Sequence, residues 1–139
     1  MLGDIIYAQH SFFYHELIMG YFYIAGCLLL TVYGQIILKW RSSKFGELPS
    51  EFIDKLYFLI KLVFDPFVFS GFIAAFIASL FWLAAMTKFD ISFAYPFMSL
   101  AFVLVFLLSV ILFGETASWQ KIVGLILIVS GVIISSRSP

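Results

Sequence analysis

Two long apolar runs joined by a short polar turn constrain this chain more than any other feature. The runs cover Phe93–Phe113 and Trp119–Ile134, and residues 114–118 connect them. The first run contains no charged residue, and at about 1.5 Å per residue a helix of this length crosses a hydrocarbon core of roughly 30 Å. The two runs with their tight connection therefore predict a transmembrane helical hairpin.

The composition of the chain also indicates a lipid environment. Hydrophobic residues make up 63% of the 139 residues and charged residues 12%, whereas soluble domains are about 25% charged. We expect one domain, and a soluble domain of this size could not bury so much apolar surface. Eight basic and eight acidic side chains cancel, so a nucleic-acid partner is not expected. The single cysteine, Cys27, excludes an internal disulfide and a cysteine metal cluster.

The apolar pattern predicts an all-α membrane protein with four transmembrane helices. The predicted spans are about 18–38, 67–87, 93–113 and 119–136. Residues 50–64 carry apolar residues at helical spacing with most charges off that stripe, which predicts an amphipathic helix in the membrane interface. Residues 1–17 are either an interfacial segment or a helical extension of the first span. Their His10, His15 and Glu16 offer metal-ligand chemistry, but two histidines five residues apart do not share a helix face, so no metal site is expected.

Six residues are candidates for substrate binding. On the first span, Thr31, Gln35 and Lys39 recur every four residues and share one helix face. Polar groups in hydrocarbon usually point into the bundle, so this face predicts a substrate path. The alternative is that Gln35 joins two helices by a hydrogen bond and Lys39 reaches the headgroups. The other three candidates each have a packing alternative: Trp82 could stack on a ligand or wedge a neighbouring helix, and Tyr95 and Ser99 could line a cavity or belong to the core.

Three short motifs carry a resemblance to a transporter family. AYPFMSL at 94–100, Gly114-Glu115, and GLILIVSGV at 124–132 resemble the last two helices of a drug/metabolite transporter repeat of EamA-like type. The small four-helix branch of that superfamily includes the small multidrug resistance exporters and the paired subunits of the aminoarabinose–undecaprenyl phosphate flippase. The pattern of Gly34, Gln35 and Lys39 is similar to the first helix of the flippase subunits. Where the multidrug branch carries a proton-coupled glutamate, this chain has Thr31, which cannot titrate.

The resemblance implies a dimer. Gly124 and Gly131 are seven residues apart on a helix similar to the dimerisation helix of the multidrug branch, and they predict a subunit interface. The partner would be an oppositely oriented homologous four-helix subunit or a second copy of the chain. Gly114 and Glu115 are expected to be structural, with Glu115 either capping the next helix or pairing with Lys121.

The basic residues predict the orientation in a bacterial inner membrane. Six of them lie in the 39–61 connection and the last turn, against two on the other side. The positive-inside rule then predicts a cytoplasmic 39–66 connection and periplasmic termini.

The favoured function is flipping of a polyprenyl-phosphate-linked sugar. Thr31, Gln35, Tyr95 and Ser99 would hydrogen-bond the sugar, and Lys39 would attract the lipid phosphate. The sequence contains no nucleophile–base pair and no phosphate-binding Gly-rich loop, so neither enzymatic catalysis nor a cofactor is expected. Two alternatives stay open: a small-molecule exporter for cationic compounds, and a non-transporting scaffold for a glycosyltransferase that would use the amphipathic segment at 50–64.

Overall fold

The backbone of residues 2–135 and the side chains of residues 14–135 are described by a computed structural model. This part of the chain is helical and contains no β-strand. Its helices are α1 (Leu2–Phe45), α2 (Phe52–Val63), α3 (Pro66–Ala85), α4 (Ile91–Met98), α5 (Leu100–Phe113) and α6 (Trp119–Ser135). Three apolar helical stretches are long enough to cross a membrane: Tyr14–Phe45, Pro66–Ala85 and Ile91–Phe113, whereas α6 is apolar but shorter. The all-α membrane class is thereby confirmed, and the fourth span stays a prediction.

The first helix extends beyond the predicted first span in both directions. The backbone is one continuous helix from Leu2 to Phe45, so the helical-extension alternative for the N-terminal segment is the correct one. The side chain of His10 lies outside the described residues. Among the side chains that are described, no group of three metal-ligating residues comes together. Glu16 instead forms an ion pair with Lys88, in the turn that follows α3.

Glycines allow α1 and α3 to pack closely. Gly71 of α3 is buried, and a Cβ added there would lie 2.8 Å from Cγ2 of Ile37. A Cβ added at Gly34 would lie 3.3 Å from the carbonyl oxygen of Gly71. Small residues that bring backbones together are a main source of helix association in lipid. The same face of α3 buries three alanines, Ala74, Ala78 and Ala85.

Asp65 fastens the start of α3 to the end of α1. Its Oδ2 accepts hydrogen bonds from Nε of Arg41 at 2.8 Å and is 2.6 Å from Nη2. Its Oδ1 accepts from the backbone N–H groups of Phe67 at 3.0 Å and Val68 at 3.3 Å, which caps the helix. The hydrogen bond from Arg41, helped by the two backbone donors, lowers the pKa of Asp65 in spite of burial. The carboxylate therefore fixes the chain where it leaves α2.

The helix over the apolar run Phe93–Phe113 is interrupted at Ser99. The N–H of Ser99 donates to the carbonyl of Pro96 at 3.1 Å, and that of Phe102 to the carbonyl of Ser99 at 3.0 Å, so both bonds span three residues instead of four. A helix that began at residue 93, as in the predicted span 93–113, would have Pro96 in its first turn, where a missing N–H does no harm. The helix starts earlier, at Ile91 with Asp90 as its N-cap. Pro96 consequently falls in the second turn, where its missing N–H interrupts the ladder.

Candidate functional site

A groove of about 560 Å³ lies between α1, α3 and the α4–α5 segment. The floor is α1, which packs against both α3 and α5, while the described parts of α3 and α5 do not form a closely packed pair. The groove is therefore open between these two helices. Its wall is mostly apolar and is formed by Cys27, Thr31, Gly34, Gln35, Leu38, Gly71, Phe72, Ala75, Ala78, Ser79, Trp82, Tyr95, Met98, Ser99 and Phe102.

Five of the six predicted substrate-binding residues line this groove. Thr31 and Gln35 lie one turn apart on α1, and Trp82 comes from α3. Tyr95 lies on α4, and Ser99 lies at the interruption between α4 and α5. Residues from three separate parts of the chain thus converge on one space, which neither spacing nor composition could establish.

Two of these polar groups have no hydrogen-bond partner among the described side chains and backbone. In the part of the chain with described side chains, no group hydrogen-bonds to the amide of Gln35 or to the hydroxyl of Tyr95, and both side chains are exposed. Ser99, by contrast, donates its hydroxyl proton to the carbonyl of Pro96 at 2.5 Å, and Ser79 donates to the carbonyl of Phe76 at 2.6 Å. The two hydroxyls keep acceptor capacity, whereas Gln35 and Tyr95 offer both donors and acceptors to a ligand.

An aromatic contact closes one end of the groove. The rings of Trp82 and Tyr95 meet edge to face, with centroids 5.7 Å apart and an interplanar angle of 79°. Trp82 also packs against a buried cluster formed by Ile24, Ala85 and Ala94. The indole thus packs against neighbouring helices and also lines the groove, while its stacking on a ligand stays a prediction.

Lys39 lies outside the groove wall, one helical turn beyond Gln35. Its Nζ is 3.3 Å from Oε1 of Glu115. The prediction that Glu115 pairs with Lys121 is wrong, because Lys121 Nζ instead lies 3.4 Å from the carbonyl oxygen of Thr116. The other predicted role of Glu115 was to cap α6. Ser118 takes that role instead, because its Oγ accepts a hydrogen bond from the N–H of Lys121 at 3.4 Å.

A left-handed glycine positions Glu115. Gly114 ends α5 with φ +64°, a conformation that glycine adopts without the steric cost other residues meet. The chain then turns so that Glu115 lies beside α1 rather than continuing along α5. The structural role expected for Gly114 thus agrees with its backbone, whereas Glu115 connects α1 to the α5–α6 turn.

The predicted interface residues lie on a helix that is little covered by protein. α6 contacts α4 and α5, and Val132 is its one buried residue. Among the described residues, none has an atom within 4 Å of a Cβ added at Gly124 or Gly131. These glycines are thus not needed for packing within the chain.

Some wall residues were not predicted as site residues, although their spacing in the sequence indicates them. Phe72, Ala75 and Ser79 precede Trp82 at intervals of three or four residues, so a face drawn through Trp82 would have included them. Residues such as Cys27 and Met98 carried no such signal. They are apolar side chains in apolar runs, and their position in the wall depends on the tertiary arrangement.

The family model of the EamA-like transporter family matches residues 10–137. The chain belongs to the EamA-like transporter family. This confirms the resemblance read from the three motifs. Like other members of this family of membrane transporters, the chain is a multi-pass membrane protein, in agreement with its long apolar helices.

Several proteins similar to the chain are named as probable flippase subunits. The chain is 35% identical over 123 residues to the probable 4-amino-4-deoxy-L-arabinose-phosphoundecaprenol flippase subunit ArnF of Proteus mirabilis, covering 85% of this chain and 92% of that protein. It is also 35% identical to the subunit with the same name from Erwinia tasmaniensis, with 84% and 93% covered. The probable ArnE subunit of Pseudomonas aeruginosa is 34% identical over 74 residues, with 53% and 64% covered. No solved structure matches the chain significantly.

Proposed function

We propose that this EamA-like protein is one subunit of a flippase that moves a polyprenyl-phosphate-linked amino sugar across a bacterial inner membrane. The observation that carries the proposal is the convergence of Thr31, Gln35, Tyr95 and Ser99 on one mostly apolar groove. An apolar wall with a few placed polar groups is typical of small-molecule sites. The flippase names of relatives that align with most of the chain support the same substrate class.

The shape of the groove suits a lipid with a polar head. The opening between α3 and α5 would let the polyprenyl tail remain in the bilayer while the sugar enters. Gln35 and Tyr95, which have no hydrogen-bond partners in the described part of the protein, would bind the sugar hydroxyls. Lys39, one turn beyond Gln35, would place a positive charge near the phosphate. In this role the protein lowers the cost of moving a polar head through hydrocarbon and catalyses no chemical step.

We further propose a four-span arrangement with α2 in the membrane interface. α6 has the apolar composition of a span, and α2 has no buried residue. Most apolar side chains of α2, including Phe52, Leu56 and Ile60, are exposed, which is the pattern of a helix lying on a membrane. The excess of basic residues on the same side supports a cytoplasmic 39–66 connection and periplasmic termini.

A second subunit would complete the transport path. The groove of one chain is open on one side, and Gly124 and Gly131 mark an uncovered small-residue face on α6. Small residues at such a face favour helix–helix contact in lipid. We propose a homologous four-helix subunit, or a second copy of this chain, as the partner on α6.

The test is transport by the purified protein with its partner subunit in proteoliposomes. The Gln35→Leu/Lys39→Met double variant removes one groove amide and the nearby positive charge while preserving side-chain size. We expect it to abolish flipping of the lipid-linked sugar. The matched control is Glu47→Gln, at an exposed position between α1 and α2, which should flip at the wild-type rate. Full flux through the double variant would refute the roles assigned to these two residues.

A further inference from the structure

The ion pair between Lys39 and Glu115 differs from the Arg41–Asp65 pair in how far it is exposed. Both of its side chains are accessible, by 56% and 36% respectively, and accessible pairs of this kind stabilise a fold little. The carboxylate of Asp65, in contrast, is 6% accessible and is held by two contacts from Arg41 and two backbone donors. The first pair can therefore exchange its partners, whereas the second is fixed.

Lys39 of this exchangeable pair directly follows Leu38, a residue of the groove wall, so the pair lies at the edge of the groove. Lys39 is four residues beyond Gln35 on α1, which corresponds to about 6 Å along the helix. Glu115 approaches from the α5–α6 turn on the opposite side. A headgroup that entered the groove between α3 and α5 would meet one positive and one negative group at this point. The next lysine along α1, Lys44, has a contact of its own, because its Nζ lies 4.0 Å from the centre of the Trp40 ring.

We propose that Lys39 and Glu115 together recognise a zwitterionic headgroup, with the lipid phosphate on Lys39 and the ammonium of the amino sugar on Glu115. This inference rests on the proposed function. Insertion of such a headgroup exchanges one internal ion pair for two ion pairs with the substrate, so no charge is left alone. A lipid with the same phosphate and an uncharged sugar would occupy Lys39 and leave Glu115 unpaired beside a second negative charge. That arrangement leaves two negative groups sharing one cation, and their repulsion disfavours the uncharged sugar. The pair would therefore select amino sugars over neutral ones.

The arrangement also has a direction. The phosphate adjoins the tail and the amine is at the far side of the sugar, so the two charges of the lipid cannot change places while the tail stays in the bilayer. Exchanging the two protein charges should preserve the internal ion pair but present it in the wrong order. A purely structural pair would tolerate that exchange, and a recognition site would not.

The experiment measures binding to the protein with its partner subunit in nanodiscs. The two probes are polyprenyl phosphate carrying 4-amino-4-deoxy-L-arabinose and the same lipid carrying L-arabinose, in which a hydroxyl replaces the ammonium. We expect the wild type to bind the amino lipid at least tenfold more tightly. Glu115→Gln should remove this preference by weakening the amino lipid about tenfold, and Lys39→Gln should weaken both lipids. The exposed control Glu47→Gln should keep the wild-type preference.

The charge-exchanged double variant, K39E/E115K, separates recognition from structure. We expect it to unfold at the wild-type temperature and to lose tight binding of the amino lipid. If Glu115→Gln keeps the tenfold preference, or if the exchanged variant binds as the wild type does, the inference is overturned and the flippase proposal still stands. If the wild type binds neither lipid, the proposed function itself fails.

Discussion

The contact between α1 and α3 makes a sharp prediction for Gly71→Ala. The added methyl would lie 2.8 Å from Cγ2 of Ile37, 3.5 Å from Cγ of Leu38 and 3.6 Å from the carbonyl oxygen of Gly34. The nearest atom is a methyl group on a β-branched carbon, which has one strongly preferred rotamer in a helix and cannot turn away. We therefore expect the two helices to separate.

A control variant isolates the size of this effect. Gly124→Ala adds the same methyl where no atom lies within 4 Å. Both changes gain about 1 kcal/mol of helix propensity, so this gain cancels when the two variants are compared. The remaining difference is the overpacking cost, about 1–3 kcal/mol. We expect Gly71→Ala to be less stable than Gly124→Ala by that amount, which is about fivefold or more in the folding equilibrium.

Unfolding in mixed micelles of a mild detergent and sodium dodecyl sulfate, followed by tryptophan fluorescence, measures this difference. The protein is kept dilute enough to be monomeric, so that the proposed interface at Gly124 does not contribute. Equal unfolding midpoints for the two variants would show that α1 and α3 are not in close contact at Gly71.

Three further predictions concern other parts of the molecule. Because the pKa of Asp65 is lowered on folding, its stabilising contribution should be present above the ordinary pKa of about 3.9 and disappear as the pH falls further. Unfolding measured from about pH 2 to 5 should show this loss in the wild type and not in Asp65→Asn. Gly131→Leu should turn a dimer into a folded monomer by light scattering in gentle detergent; a persistent dimer would place the interface elsewhere. Trp82→Ala should lower the free energy of unfolding by about 3 kcal/mol, in part because the edge contact with Tyr95 is lost. Thermal unfolding measures this change.

The helices and part of the groove could be predicted from local patterns. Long apolar runs fix where helices cross lipid, and Asp65-Pro66 marks the start of α3 because its carboxylate and ring both suit a helix N-terminus. The four-residue repeat of Thr31 and Gln35 placed them on one face, and the structure shows that this face lines the groove. These features depend on residues close together in the chain.

The features that sequence reasoning missed depend on exact helix ends or on distant contacts. Moving the start of α4 to Ile91 was enough to change Pro96 from a harmless position into an interruption. The partner of Glu115 is on another helix, and the nearby Lys121 was the natural choice from sequence alone. Electrostatics favours any opposite charge within reach, so the choice between two lysines requires the tertiary arrangement.

The distribution of fixed and exchangeable contacts indicates how the groove would respond to a headgroup. α1 and α3 are joined by close glycine contacts and by the buried Arg41–Asp65 pair. α4 is attached to the same unit by rings, since Tyr21 of α1 lies 6.4 Å from Phe93 and 6.0 Å from Phe97 between ring centres. Beyond the interruption at Ser99, α5 reaches α1 at its far end through the accessible Lys39–Glu115 pair. In the proposal above, a substrate that replaced this pair would remove one contact between α1 and the α5–α6 turn, while the close α1–α3 contacts and the Arg41–Asp65 pair stay in place.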